Sequence, residues 1–79
     1  MKSYNCIIVD DETLAQELIE THLGKIPNVT VVAKCHTAME ALAALNRHAV
    51  DIMFLDIEMP DLTGIDFLKT LDKAPYTIF

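Results

Sequence analysis

Apolar and polar positions change over in short blocks along the 79 residues, and the blocks differ in period. Tyr4–Val9 is a brief apolar run that stops at Asp10-Asp11, as a buried strand would. Leu14, Leu18, Ile19 and Leu23 then recur with helical spacing, with Glu17, Glu20 and Thr21 between them. This predicts an amphipathic helix, with Gly24 placed for a left-handed C-terminal cap. Val29–Ala33 is β-branched and predicts a second strand. Thr37-Ala38-Met39-Glu40 has the form of a capping box, and the Ala- and Leu-rich helix it opens should run to about Asn46. Asp51 and Asp56 enclose a third strand, Ile52-Met53-Phe54-Leu55. Ile65, Leu68 and Leu71 follow Thr63-Gly64 at i, i+3 and i+6 and predict a third helix, and Tyr76–Phe79 a fourth strand.

The order is therefore βαβαβαβ. Strands that alternate with helices of about three turns require crossover connections, which are right-handed, and so a parallel sheet. The strand runs do not alternate apolar with polar, as expected where both faces are covered. The expected fold class is a doubly wound α/β unit.

Composition narrows the function. Hydrophobic residues make up 52% of the chain, above the roughly 45–50% of ordinary domains, so disorder is excluded. No apolar run approaches the ~18 residues of a membrane span, and no signal peptide precedes the first strand. Twelve acidic residues against six basic give a net charge of −6, which argues against nucleic-acid binding by this segment. Cys6 and Cys35 lie in or beside apolar runs and form no disulfide framework; Cys6 should be a core residue and Cys35 a strand-end residue. A cytoplasmic globular piece is expected.

In open α/β sheets the functional site lies beyond the carboxyl ends of the strands. The first strand ends in Asp10-Asp11-Glu12 and the third in Asp56, followed by Ile57-Glu58-Met59-Pro60. A single strand-end carboxylate would simply cap the next helix, which is the reading for Glu12 and Asp61. Asp10, Asp11 and Asp56 together are more than capping needs. Their repulsion, about 1 kcal/mol per pair at ~4 Å in water, calls for a hard divalent cation such as Mg²⁺. Pro60 should shape the loop after Asp56, and Gly64 either allows a close approach there or is an ordinary turn glycine. His22, His36 and His48 show no metal-ligand spacing and read as surface residues, while Met39, Met53 and Met59 read as core filler.

Ile-Ile-Val-Asp10-Asp11-Glu12, Phe-Leu-Asp56-Ile-Glu-Met-Pro60 and Thr63-Gly64-Ile-Asp-Phe-Leu68, at their spacing, resemble the receiver domain of bacterial two-component response regulators. The Asp-Asp-Glu and Asp-Ile-Glu-Met-Pro wording is most like receivers attached to LytTR-type DNA-binding domains. The resemblance runs through all 79 residues and implies a flavodoxin-like receiver fold with strand order 2-1-3-4. It makes Asp56 the phosphoacceptor, supplied by a sensor histidine kinase. It also makes Asp11 a direct Mg²⁺ ligand, Asp10 a ligand mainly through water, and Glu58 a ligand through its backbone carbonyl. DNA would be reached only through an output domain that residues 1–79 do not include. Receivers also carry a Thr or Ser just after the fourth strand and a Lys at the end of a fifth. Neither can be matched here, Lys69 and Lys73 being assigned to the third helix and its end, so residues 1–79 are expected to be the N-terminal two-thirds of a receiver.

Two other functions compete with a non-enzymatic signalling module. A Mg²⁺-dependent phosphohydrolase with an aspartyl-phosphate intermediate would want Asp-x-Asp, where this chain has Asp56-Ile57-Glu58. The other is a dimerising receiver that is never phosphorylated. Nucleotide binding lacks both a Gly-x-Gly-x-x-Gly loop and a Walker A sequence. Right-handed crossovers put the first helix alone on one face of a 2-1-3-4 sheet. Apolar side chains from Ile7–Val9, Ile52–Leu55 and Tyr76–Phe79 should then be partly bare, and a homodimer follows as an expectation.

Overall fold

The computed structural model describes residues 2–59 and 63–79. The predictions for Pro60 and Asp61 lie outside the described residues. Seven elements follow one another: β1 (Tyr4–Val9), α1 (Thr13–Leu23), β2 (Val29–Cys35), α2 (Ala38–Arg47), β3 (Ile52–Leu55), α3 (Gly64–Lys69) and β4 (Tyr76–Ile78). The strands form one parallel sheet in the order β2-β1-β3-β4. The doubly wound α/β reading and its strand order hold.

Side chains of β1 alternate between two cores, as the pleat requires. Ile7 and Val9 join Met53, Leu55, Ala41, Ala44 and Phe67 under α2 and α3, while Cys6 and Ile8 join Ile19 and Leu23 of α1 on the other face. Burial of Ile7, Ile8 and Val9 is complete or nearly so, worth about 1.5–3 kcal/mol for each side chain. The expectation that Ile7–Val9 would be partly bare is therefore corrected. Helix α1 packs over β1 and β2, and the expectation holds farther along the same sheet face: Ile52 and Phe54 of β3 are half-buried, and Tyr76, Ile78 and Phe79 on the β4 side are exposed.

Strand β2 carries a feature the pattern did not reveal. Cys6 pairs with Val31 but Ile7 pairs with Ala33, which leaves Val32 as an extra residue. Before this bulge Val29 and Val31 face α1, and after it Ala33 and Cys35 face the α2 core. Inserting one residue exchanges the two faces of everything beyond it. Lys34 is thereby turned to α1, where it pairs with Glu20 at 3.0 Å.

Helix ends follow local chemistry more closely than the apolar pattern did. Thr37 accepts a hydrogen bond from the Glu40 amide at 3.1 Å, and Glu40 Oε1 accepts from the His36 amide at 3.1 Å, one residue earlier than in the usual reciprocal box. Thr63 caps α3 in the same way, accepting from the Asp66 amide at 3.1 Å. Glu12 stands at the N-cap of α1, but its side chain makes no capping bond, so its predicted capping role is not realised. Gly24 has φ −60°, ordinary right-handed geometry; the predicted left-handed cap is replaced by a tightened last turn in which Ile26 donates to Leu23. Helix α3 stops at Lys69, short of Leu71, where the Thr70 hydroxyl donates to the Phe67 carbonyl.

Three apolar predictions need correction. Leu14 and Leu18 are 78% and 61% exposed, because the face that α1 turns to the sheet runs through Gln16, Ile19 and Leu23. Phe67, not Ile65, is the buried anchor of α3. Met53 and Met59 fill the core as expected, whereas Met39 is exposed. Cys6 and Cys35 are buried free thiols, and burial with the nearby Glu40 carboxylate pushes Cys35 up to about 11. Such thiols are inert at neutral pH.

Candidate functional site

The backbone ladder continues one residue past the strand ends and so fixes where the acidic side chains begin. Asp10 donates its amide proton to the Cys35 carbonyl at 2.9 Å, and Asp56 donates to the Val9 carbonyl at 2.9 Å. Because β1 and β3 are neighbours, Asp10 and Asp56 leave the sheet side by side. Each then makes a short turn of the same kind: Asp10 Oδ1 accepts from the Glu12 amide at 2.9 Å, and Asp56 Oδ1 from the Glu58 amide at 3.2 Å. Asp51, at the opposite end of β3, has a structural role, accepting from the Asn5 amide at 2.8 Å.

Carboxylate oxygens of Asp10, Asp11 and Asp56 all lie within 4.8 Å of one another; Asp10 and Asp56 are half-buried and Asp11 is exposed. Neighbouring and opposite oxygens around one Mg²⁺ are about 3–4 Å apart. Three carboxylates gathered this closely thus fit one hard cation. Burial raises the Asp56 carboxyl above the ordinary carboxylate range. The Glu58 amide opposes that rise, while Asp10, Asp11 and a hydrogen bond shared with Asp11 add to it. The cluster opens into a cleft of about 580 Å³ lined by Asp10, Asp11, Glu12, Asp56 and Glu58, and walled by Phe54, Ile78 and Phe79. All the predicted site residues come together there, Glu58 included. The histidines do not: His36 Nε2 lies 3.2 Å from the Thr13 hydroxyl, and none of the three joins a metal-binding group among the described residues.

Gly64 makes the close approach that was one of its two predicted roles. Its amide donates to the Ile57 carbonyl at 2.7 Å, and a Cβ there would sit 2.2 Å from the Asp56 carbonyl oxygen and 3.1 Å from the Ile57 Cα. Both obstacles are backbone, so neither can swing away. Gly64→Ala is expected to displace the Asp56–Ile57 segment, to cost about 1–3 kcal/mol in urea unfolding, and to depress any chemistry at Asp56. A variant with the stability and site behaviour of the parent chain would show that the loop yields freely.

A parallel sheet in this order, with carboxylates clustered beyond its first and third strands, is a flavodoxin-like fold with an acidic site. Residues 6–79 match the response regulator receiver domain, and the chain belongs to that family, whose members signal by phosphorylation in two-component systems. It is 36% identical over 75 residues to the transcriptional regulatory protein BtsR of Escherichia coli K12, an alignment covering 92% of this chain and 31% of that protein. It is 40% identical over 76 residues to the sensory transduction protein LytT of Enterococcus faecalis, with the same coverage, in keeping with the LytTR-type wording of its motifs. The chain thus spans about a third of the length of these relatives. Among solved structures, the response regulator domain of Thermotoga maritima CheB superposes with a TM-score of 0.84 at 29% identity, over 95% of this chain and 57% of that one. RcsB of Salmonella enterica serovar Typhimurium, bound to promoter rprA in the presence of phosphomimetic BeF3⁻, gives 0.79 at 27% identity, over 86% and 58%. No helix among the described residues is long and apolar enough to cross a membrane.

Proposed function

We propose that Asp56 is the phosphoacceptor of this receiver, and that Asp10, Asp11 and the Glu58 carbonyl hold Mg²⁺ beside it. The observation that carries the reading is the gathering of three carboxylates within 4.8 Å at the ends of two adjacent strands. An Asp56 oxygen attacks the phosphorus of a phosphohistidine on a sensor kinase. A P–O bond forms, the P–N bond breaks, and the imidazole leaves with its electron pair and takes up a proton. Mg²⁺, when bound, supplies positive charge to the phosphoryl oxygens. The ladder bonds of Asp10 and Asp56 hold the carboxylates in place, and the open cleft admits the donor. In the whole protein, cytoplasmic by this reading, the acyl phosphate would regulate transcription through a DNA-binding output domain outside these residues.

Incubation with acetyl phosphate and Mg²⁺, followed by intact mass, tests this. One added phosphoryl group per chain, labile to hydroxylamine, is expected. Steady phosphate release from unrelated phosphomonoesters would instead mark a phosphohydrolase, and no modification a purely structural module.

We propose further that the chain self-associates. Tyr76, Ile78 and Phe79 are 74%, 39% and 59% exposed, and among the described residues β4 is hydrogen-bonded only to β3. An uncharged strand edge beside an apolar surface favours pairing or packing with a second copy. Light scattering at high micromolar concentration should give a dimer, and Ile78→Lys should return a monomer. A well-dispersed monomer of the parent chain would remove the idea.

A further inference from the structure

Gln16 is the one buried polar side chain among the described residues, 1% exposed, and the proposed phosphotransfer makes no use of it. It occupies the fourth position of α1, where a side chain leans back toward the helix N-terminus and so toward the loop Asp10–Glu12. Its amide nitrogen donates twice, to the Asp10 carbonyl at 2.9 Å and to the Cys35 carbonyl at 2.8 Å. The Cys35 carbonyl also accepts the Asp10 amide proton. Both hydrogens of the amide are therefore spent on the backbone around Asp10.

The geometry points to Gln16 as a positioning residue of the cation site: it pins the backbone of Asp10, and through it sets the Asp10 and Asp11 carboxylates at their working distance from Asp56. This rests on the reading of the carboxylate cluster given above. The loop between β1 and α1 is only three residues long, so holding its first carbonyl leaves little freedom. The bond from the Glu12 amide to Asp10 Oδ1 then orients the carboxylate. Packing alone calls for an apolar side chain on this face, as at Ile19 and Leu23, because a buried amide must find partners to be tolerated. The charge type is also informative. Lys or Arg at this position would set a fixed cation beside the carboxylates and compete with the ion. Glu would turn acceptors toward acceptors. A primary amide donates twice and leaves the charge of the site unaltered.

The test compares Gln16→Met, which keeps length and burial but donates nothing, with Leu23→Ala, a core change at the far end of the same helix. Two quantities are read by NMR on the 79-residue chain under conditions where each variant is folded. One is the Mg²⁺ dissociation constant from the Asp10, Asp11 and Asp56 amides; the other is hydrogen exchange at the Asp10 amide. Gln16→Met should weaken Mg²⁺ by about 10-fold and speed Asp10 exchange beyond any change in the slowest core amides. Leu23→Ala should do neither, however far it lowers the urea midpoint. Equal weakening by both variants, or none by Gln16→Met, overturns the inference. Should Gln16→Met fail to fold, Gln16→Asn, one methylene too short to reach both carbonyls, is expected to weaken Mg²⁺ in the same way. If the parent chain binds no Mg²⁺, the proposed function fails on its own, and parental Asp10 exchange in the variant would overturn the positioning role separately.

Discussion

Asp56→Asn is expected to abolish phosphoryl labelling by acetyl phosphate, a loss on the order of 10³-fold or more, as for other removed nucleophiles. The amide nearly preserves the shape of the carboxylate, so the sheet end should remain intact. What disappears is the anionic oxygen that attacks phosphorus. Among the described residues, Asp10 and Asp11 are the other carboxylates of the cluster, and both follow β1 rather than β3. Asp56 combines a backbone fixed just past the end of β3 with a carboxyl raised by burial. Labelling that survives in Asp56→Asn, mapped by peptide mass to Asp10 or Asp11, would reverse the roles assigned to the two strand ends.

The second large effect concerns stability rather than chemistry. A carboxyl whose folded pKa is raised above its unfolded value binds its proton more tightly when folded. Its contribution to stability is therefore fully present at pH below about 3.9, the ordinary Asp value, and is lost as pH rises through the raised folded value of Asp56. Without Mg²⁺, neutral pH leaves three mutually repelling carboxylates at the end of the sheet. Asp56→Asn should then be more stable than the parent chain at pH 7, by about 1 kcal/mol for each close pair relieved. Adding Mg²⁺ at 100 times its dissociation constant should stabilise the parent chain by about 2.7 kcal/mol. The gain should vanish below pH 4 and shrink in Asp11→Asn. Urea unfolding with Mg²⁺ or with chelator, across pH 3–8, measures all of these. A urea midpoint indifferent to Mg²⁺ at pH 7 would count against the cation site, and a less stable Asp56→Asn against the repulsion.

Much of this molecule is legible in one dimension because its strong signals are local. Cys6–Val9 and Ile52–Leu55 are continuous apolar runs that end in aspartate, and they form the strands Tyr4–Val9 and Ile52–Leu55. Thr37 and Thr63 cap their helices through hydrogen bonds that span three residues, so their partners are already visible in the sequence. Parallel topology follows from alternating elements and the handedness of crossovers. Once β1 and β3 are adjacent, Asp10, Asp11 and Asp56 must meet.

What tertiary structure decided depends on rotation and register, which small local differences control. Helix α1 offers two overlapping apolar stripes, and packing on β1 and β2 selected the one through Gln16, Ile19 and Leu23, leaving Leu14 and Leu18 outside. That spacing is present in the sequence, but a glutamine on it reads as polar surface until two backbone carbonyls are found in its reach. The extra residue Val32 exchanges the faces of the end of β2, although nothing in the β-branched run marks where the bulge falls. Gly64 resembles any turn glycine until Asp56 is seen to press against the place of its missing side chain. The sequence by itself determined the order of elements, the handed topology and the meeting of three carboxylates, because these depend on composition and chirality. Only the packed structure determined which side of each element faces inward and which neutral residues hold the acidic ones in place, because those contacts join atoms that are distant along the chain.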